Sequence, residues 1–144
     1  MPQIQRSALV SFSAEQMYQL VNDVDAYPEF LPGCVGSQVV SADDEQMTAT
    51  VKVAKAGIRN EFTTCNTLFP HHKIKIDLVN GPFKKLTGTW NFQPLDARAC
   101  KVILELDFEF SNRLIAMAFG RVFKEIAGAM VQAFSNRAKQ VYIS

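Results

Sequence analysis

From residue 36 to residue 110 apolar and polar positions alternate with period two. Met47, Ala49, Val51 and Val53 alternate with Thr48, Thr50 and Lys52. Ile74, Ile76 and Leu78 alternate with Lys73, Lys75 and Asp77. Leu86, Gly88, Trp90 and Phe92 alternate with Thr87, Thr89 and Asn91, and Val102, Leu104, Leu106, Phe108 and Phe110 with Lys101, Glu105, Asp107 and Glu109. Successive side chains of a strand point to opposite faces, so each run predicts a strand with one buried face and one wet face. That is the pattern of an antiparallel sheet. Turn-forming residues separate the runs at Ala42-Asp43-Asp44, Phe69-Pro70-His71, Gly81-Pro82 and Pro94-Leu95-Asp96.

The period changes at both ends of this region. Residues 113–142 carry Ile115, Phe119, Val122, Phe123, Ile126, Met130, Ala133, Phe134 and Val141 at helical spacing, with Arg121, Lys124, Gln132, Ser135 and Lys139 opposite. They predict one long helix. Near the start, Ile4, Ala8, Val10 and Phe12 share a strand face, and Ser13 with Gln16 predicts a capping box for a helix carrying Met17, Leu20, Val21 and Val24. That helix runs into Tyr27-Pro28-Glu29-Phe30-Leu31-Pro32. Proline lacks an N–H and pushes its predecessor toward extended geometry, so the helix cannot simply continue. Yet Tyr27, Phe30 and Leu31 are large and apolar, and must cover a core or the mouth of a cavity. Asn80-Gly81-Pro82-Phe83 repeats the device with one aromatic. The fold class is therefore α+β: a curved antiparallel sheet of about six or seven strands gripping a long C-terminal helix. Ala116, Ala127, Ala129, Ala133, Gly120 and Gly128 on the helix, with Ala49 and Gly88 on the sheet, leave room between the layers. Close packing of small against large side chains accounts for them equally well.

Composition narrows the class. At 144 residues the chain is expected to form one domain, 1–144, able to bury about two-thirds of its unfolded surface. No apolar run approaches the roughly 20 residues of a membrane span. Met1-Pro2-Gln3-Ile4-Gln5-Arg6 lacks a signal peptide's apolar region, so a cytoplasmic location is expected. Cys34, Cys65 and Cys100 are odd in number and widely spaced, and read as buried free thiols. Net charge is only +1, but residues 1–45 hold Arg6 against Glu15, Asp23, Asp25, Glu29, Asp43, Asp44 and Glu45, which leaves the remainder basic. Such asymmetry suits a surface for phosphates or anionic lipid, and equally a solvated face.

No catalytic constellation stands out. His71 and His72 are neighbours in a proline turn and read as exposed, with no metal partner. Glu105, Asp107 and Glu109 share the solvent side of their strand. No Ser or Cys has a nearby His, and there is no glycine-rich phosphate loop. Lys73, Lys75, Lys84 and Lys85 approach a basic stripe, but Phe83 is the only aromatic beside them, so DNA is not an expected partner. Arg137 departs from its surroundings, since it falls within the apolar helix stripe. Either it suits the helix C-terminus and reaches water, or it sits at the cavity's end to meet a polar headgroup.

Several motifs together carry a resemblance. They are Tyr27-Pro28-Glu29-Phe30-Leu31-Pro32 with Cys34, Asn80-Gly81-Pro82-Phe83-Lys84-Lys85-Leu86 with Gly88, Trp90 and Phe92, Phe108-Glu109-Phe110-Ser111-Asn112, and Ala133-Phe134, Arg137-Ala138 and Val141-Tyr142. In that order they resemble the coenzyme Q-binding START-like family nearly end to end. Gly33 departs from the pattern, which expects a tryptophan between Pro32 and Cys34. The resemblance implies a helix-grip fold with a tunnel for an apolar ligand. Its mitochondrial members imply ubiquinone binding in support of respiration, and its bacterial members imply a toxin that blocks association of ribosomal subunits.

The expected function is non-enzymatic. The ligand is a quinone or other polyprenyl lipid, with no required cofactor and no metal. The expected cavity residues are Tyr27, Phe30, Leu31, Trp90, Phe108, Phe123, Ile126 and Met130, with Phe83 near the entrance. Arg137, Tyr27 and Trp90 are candidate donors to a ring carbonyl. For a ribosomal subunit or an anionic surface the candidates are Lys73, Lys75, Lys84, Lys85, Arg121, Lys124 and Lys139. Transient contact at the inner membrane is also expected. An aromatase or cyclase is the least favoured class, because no acid–base pair falls among the apolar positions.

Overall fold

The computed structural model describes residues 3–55 and 57–142. Met1, Pro2, Ile143 and Ser144, at the two ends of the expected domain, lie outside the described residues. Strand β1 (Gln3–Val10) leads into helix α1 (Ala14–Asn22) and a 3-10 helix (Val24–Glu29). Strands β2 (Cys34–Ala42), β3 (Gln46–Lys55), β4 (Ile58–Phe69), β5 (Lys73–Asn80), β6 (Phe83–Asp96) and β7 (Ala99–Phe110) follow, and helix α2 (Arg113–Val141) closes the chain.

The strands form one seven-stranded sheet in the order β1-β7-β6-β5-β4-β3-β2, with every pair antiparallel. Helix α2 has 29 residues, about 43 Å at 1.5 Å per residue. It touches β1 and β7 on one side and β4 on the other, so the sheet curls around it. Register shifts at Cys34/Gly36, Val39/Ser41, Thr63/Thr64, Phe83/Lys85 and Pro94/Asp96 supply the bends. This is the helix-grip architecture the alternation predicts.

Local chemistry fixes the ends. Ser13 Oγ accepts from Gln16 N–H at 3.1 Å while Gln16 Oε1 accepts from Ser13 N–H at 2.9 Å, which completes the capping box. Asn112 Oδ1 caps α2 by accepting from Ile115 N–H at 2.9 Å. Asp43 Oδ1 accepts from the N–H groups of Glu45 and Gln46, both at 2.8 Å, and closes the β2–β3 turn. One expected turn is displaced. β6 runs through Pro94-Leu95 to Asp96, whose Oδ1 accepts from Arg98 N–H at 2.7 Å, so the chain reverses at Ala97-Arg98. Pro94 sits beside a register shift, where a missing N–H is tolerated.

Two further expectations change. Helical spacing puts Ser135 opposite the apolar stripe of α2, but it is buried and donates to Val131 C=O at 2.8 Å, which removes its need for water. Cys34 and Cys100 are buried as expected, whereas Cys65 is only half-buried. Its neighbours Thr64 and Asn66 turn inward, so Cys65 turns outward.

Candidate functional site: an apolar cavity with a polar notch

Between α2 and the sheet lies a partly open, apolar cavity. Phe123, Ile126, Ala127 and Met130 of α2 form its roof. Its floor is the inner face of the sheet, from Ala49, Val51 and Val53 on β3 across Ile74 and Ile76 to Leu86, Trp90, Leu104 and Leu106. Val21, Val24, Tyr27, Leu31 and Cys34 close one end. A water molecule's centre can roam about 100 Å³ of it, and all the space between the walls, open mouth included, is about 890 Å³. One water needs roughly 10–15 Å³ by the first measure, so the cavity has room for a planar ring or a short chain segment. A long polyprenyl tail needs side chains to move or must leave through the mouth.

Six of the ten cavity candidates form its wall: Tyr27, Leu31, Trp90, Phe123, Ile126 and Met130. The other four are placed elsewhere. Phe30 stands beside Tyr27, ring centroids 6.3 Å apart, but outside the wall, with its ring 5.1 Å from Phe134 and the Arg137 guanidinium 5.0 Å from its centroid. Phe83 is no entrance residue. The Gly81 turn and the shift at Phe83/Lys85 draw it inside, where it packs at 4.9 Å on Phe123, 5.3 Å on Phe110 and 5.8 Å on Phe62. Phe108 is fully buried one layer behind the wall, 4.9 Å from Phe123, and supports that ring. Arg137 follows Met130 by two helical turns, about 10 Å further along α2, past the cavity's end. There it donates to Glu29 Oε1 at 3.0 Å, with part of its side chain in water.

The polar groups of the wall are few. Tyr27 donates its O–H to Val21 C=O, and burial pushes its phenol far above the ordinary range. Its proton is therefore already engaged. Cys34 lies 3.5 Å from Gly36 C=O, and burial raises its thiol as well. The notch the sequence reading missed is on β4. Thr64 and Asn66 both face the cavity, and Thr64 Oγ1 donates to Asn66 Oδ1 at 3.0 Å. That bond orients the Asn66 amide and leaves its N–H₂ without a side-chain acceptor among the described residues. The signal was present as Phe62, Thr64, Asn66 and Leu68 at period two. Its polar centre hid it from a search for apolar alternation.

Gly33 and Gly88 shape the space differently. Gly33 has φ +81°, and a Cβ there would come within 2.7 Å of Ile126 Cδ1, so the bare backbone lets the proline loop close on α2. At Gly88 a Cβ would lie 2.5 Å from Glu105 C=O and 2.5 Å from Leu106 Cδ2. Gly88 thus permits close strand packing and does not open the cavity.

The basic candidates divide into two groups. Lys73, Lys75 and Lys85 alternate with the inward residues of β5 and β6 and lie on the outer sheet face. Lys85 pairs with Asp107 at 3.0 Å, Lys84 with Glu109 at 3.7 Å, and Lys73 lies 5.7 Å from the Phe69 ring. Glu109 and Asp107, read from sequence as a solvent face, are thus counter-charges to this stripe. Arg121, Lys124 and Lys139 are exposed on α2, which the sheet holds on its opposite, concave side. His71 adopts φ 67° in its turn, packs edge-on to Tyr18 at 5.6 Å and lies 3.9 Å from Glu15.

Residues 10–135 match the family described as polyketide cyclase / dehydrase and lipid transport. The ribosome association toxin RatA of Escherichia coli K12 is 61% identical over 99% of this chain and 90% of that protein. A mitochondrial coenzyme Q-binding protein COQ10 homolog B of Xenopus laevis is 30% identical over 94% of this chain and 57% of that protein. Among solved structures, the Zhui aromatase/cyclase of Streptomyces sp. R1128 superposes with a TM-score of 0.87 over 99% of this chain and 96% of that one, at 17% identity, which speaks to the fold alone. The apolar cavity and these matches agree with one another: the chain belongs to the polyketide cyclase / dehydrase and lipid transport family, and within it stands with the RatA proteins.

Proposed function

We propose that this protein is a non-enzymatic, RatA-type factor that associates with a ribosomal subunit and holds a hydrophobic, ring-bearing ligand in its cavity. The ligand class we favour is a polyprenyl quinone such as ubiquinone. The observation that carries the ligand reading is the apolar cavity with one polar notch at Thr64 and Asn66. A quinone carbonyl accepts from the Asn66 amide, while the ring lies among Trp90, Phe123 and Met130. Each buried CH₂ of a tail contributes about 0.8 kcal/mol, so apolar contact alone can hold several isoprene units. The walls carry no carboxylate, histidine or lysine among the described residues, and the Tyr27 proton is engaged, which supports binding without bond chemistry.

The ribosomal part rests on the 61% identity to proteins named for ribosome association. We assign the protein to the cytoplasm, with peripheral contact at the inner membrane when it collects or delivers ligand. Blocking the joining of the two subunits is the action we assign to it. The two activities separate by salt. Subunit binding through Lys and Arg releases counterions and weakens steeply as salt rises, whereas burial of an apolar ligand does not. Co-sedimentation with separated ribosomal subunits and quinone quenching of Trp90 fluorescence, run in one salt series, test both. Sedimentation lost with salt and salt-independent quenching are expected. Absence of sedimentation at low salt rejects the ribosomal part, and absence of quenching rejects the ligand part.

A further inference from the structure

The first turns of α2 present an apolar patch to solvent. Leu114 and Met117 are 78% and 75% exposed, the highest values among the large apolar side chains of the described residues. They stand three residues apart on one helix face, with exposed Ala118 beside them. Arg113 and Lys124 border that face on the Met117 side, and Arg121 continues it, followed on the same face by Glu125. From Arg113 to Lys124 the helix holds these three bases and no acid, and its first turn has no acidic residue. A helix N-terminus already carries partial positive charge, so an arginine there works against the helix itself. The first acid, Glu125, is bound to Lys55 at 2.8 Å.

We infer that this face docks on an anionic membrane surface. Leu114 and Met117 enter the boundary between headgroups and acyl chains, and Arg113, Arg121 and Lys124 lie against lipid phosphates. Charge complementarity selects an anionic partner. The two bulky apolar side chains select a bilayer over nucleic acid, because phosphates give nothing to Leu or Met while acyl chains do. The opposite face of the same turns carries Phe119, whose ring is 5.9 Å from Phe123 in the cavity wall. The docking face therefore lies one helix thickness from the cavity. The inference does not rest on the identity of the ligand, nor on ribosome binding.

The test is co-sedimentation of the purified full chain with vesicles of equimolar phosphatidylcholine and phosphatidylglycerol, against vesicles of phosphatidylcholine alone. The protein should sediment with the anionic vesicles and not with the neutral ones. Leu114→Ser with Met117→Ser should lower that binding at least about tenfold, since burying one such side chain accounts for more than this. Arg121→Glu should lower it by roughly fivefold or more. Leu95→Ser with Val40→Ser, at exposed apolar positions elsewhere, should leave it unchanged. Circular dichroism of each variant checks that α2 is intact. Failure to bind anionic vesicles overturns the inference, as does full binding by the Leu114/Met117 variant. Loss of ribosomal-subunit binding in that variant, with no vesicle binding in the wild type, reassigns the face to the ribosome.

Discussion

Replacing Ala49 by leucine should fill the cavity from the sheet side. Ala49 is buried on β3, lines the cavity, and lies opposite Thr64 in the β3–β4 register. The roughly 100 Å³ open to a water molecule's centre is room enough for the added side-chain carbons. Leucine adds three carbons, worth about 2.4 kcal/mol if all are buried. Imperfect fit returns about 1–3 kcal/mol of that. The expected net effect is a stability change between about −0.6 and +1.4 kcal/mol, positive in favour of the variant, or at most a rise of a few degrees in Tm. The same substitution should abolish quinone quenching of Trp90, whose ring lines the same space. Urea unfolding and calorimetry read the first effect and fluorescence titration the second. A fall of more than about 3 kcal/mol would mean that the space is already filled. Unaltered quenching would mean that the ligand binds elsewhere.

Gly88→Ala should destabilise by about 1–3 kcal/mol in urea unfolding, because its Cβ meets the Glu105 carbonyl oxygen at 2.5 Å and backbone must move. Asn66→Leu should lower stability by about 1–3 kcal/mol, because buried Thr64 Oγ1 loses its acceptor, and should weaken a carbonyl-bearing ligand about fivefold or more relative to a hydrocarbon of equal size, measured by competitive titration. Burial pushes the Cys100 thiol up to about 11 and raises the Tyr27 phenol further, so the fold holds both groups neutral. Their contribution is intact below the unfolded thiol value of about 8.5 and is lost as pH climbs through the folded values, so Tm should fall from about pH 9 upward. Thiol labelling at neutral pH should reach half-buried Cys65 before Cys34 or Cys100, as peptide mapping would show.

The architecture was legible because half-buried strands and an amphipathic helix write their periods directly into the sequence. Met47 to Val53, Ile74 to Leu78 and Val102 to Phe110 carry it, as does the α2 stripe. The Ser13–Gln16 box was legible for the same local reason. The cavity wall was legible only in part. Tyr27 and Phe30 are neighbours, their rings 6.3 Å apart and both packed on Phe134, yet only Tyr27 and Leu31 reach the cavity wall. No spacing rule applied to an extended proline loop separates them. Phe83 and Phe108 look like lining residues because they are aromatic and inward. Whether an inward ring meets empty space or another ring depends on the facing element, and here Phe123 meets both. Arg137 lies on the expected helix face, but its partner Glu29 is 108 residues away in sequence. The notch at Thr64 and Asn66 escaped because an inward polar pair interrupts the alternation by which strands are recognised.

If the cavity is a binding site, its ligand should stay with the protein through purification. Mass spectrometry of the organic extract from protein purified from its own host, with the Ala49→Leu variant in parallel, reads this out. The wild type should yield one enriched, ring-bearing lipid approaching one molecule per chain, and the variant should yield little of it. A wild type that carries no more lipid than the variant would contradict a binding role for the cavity.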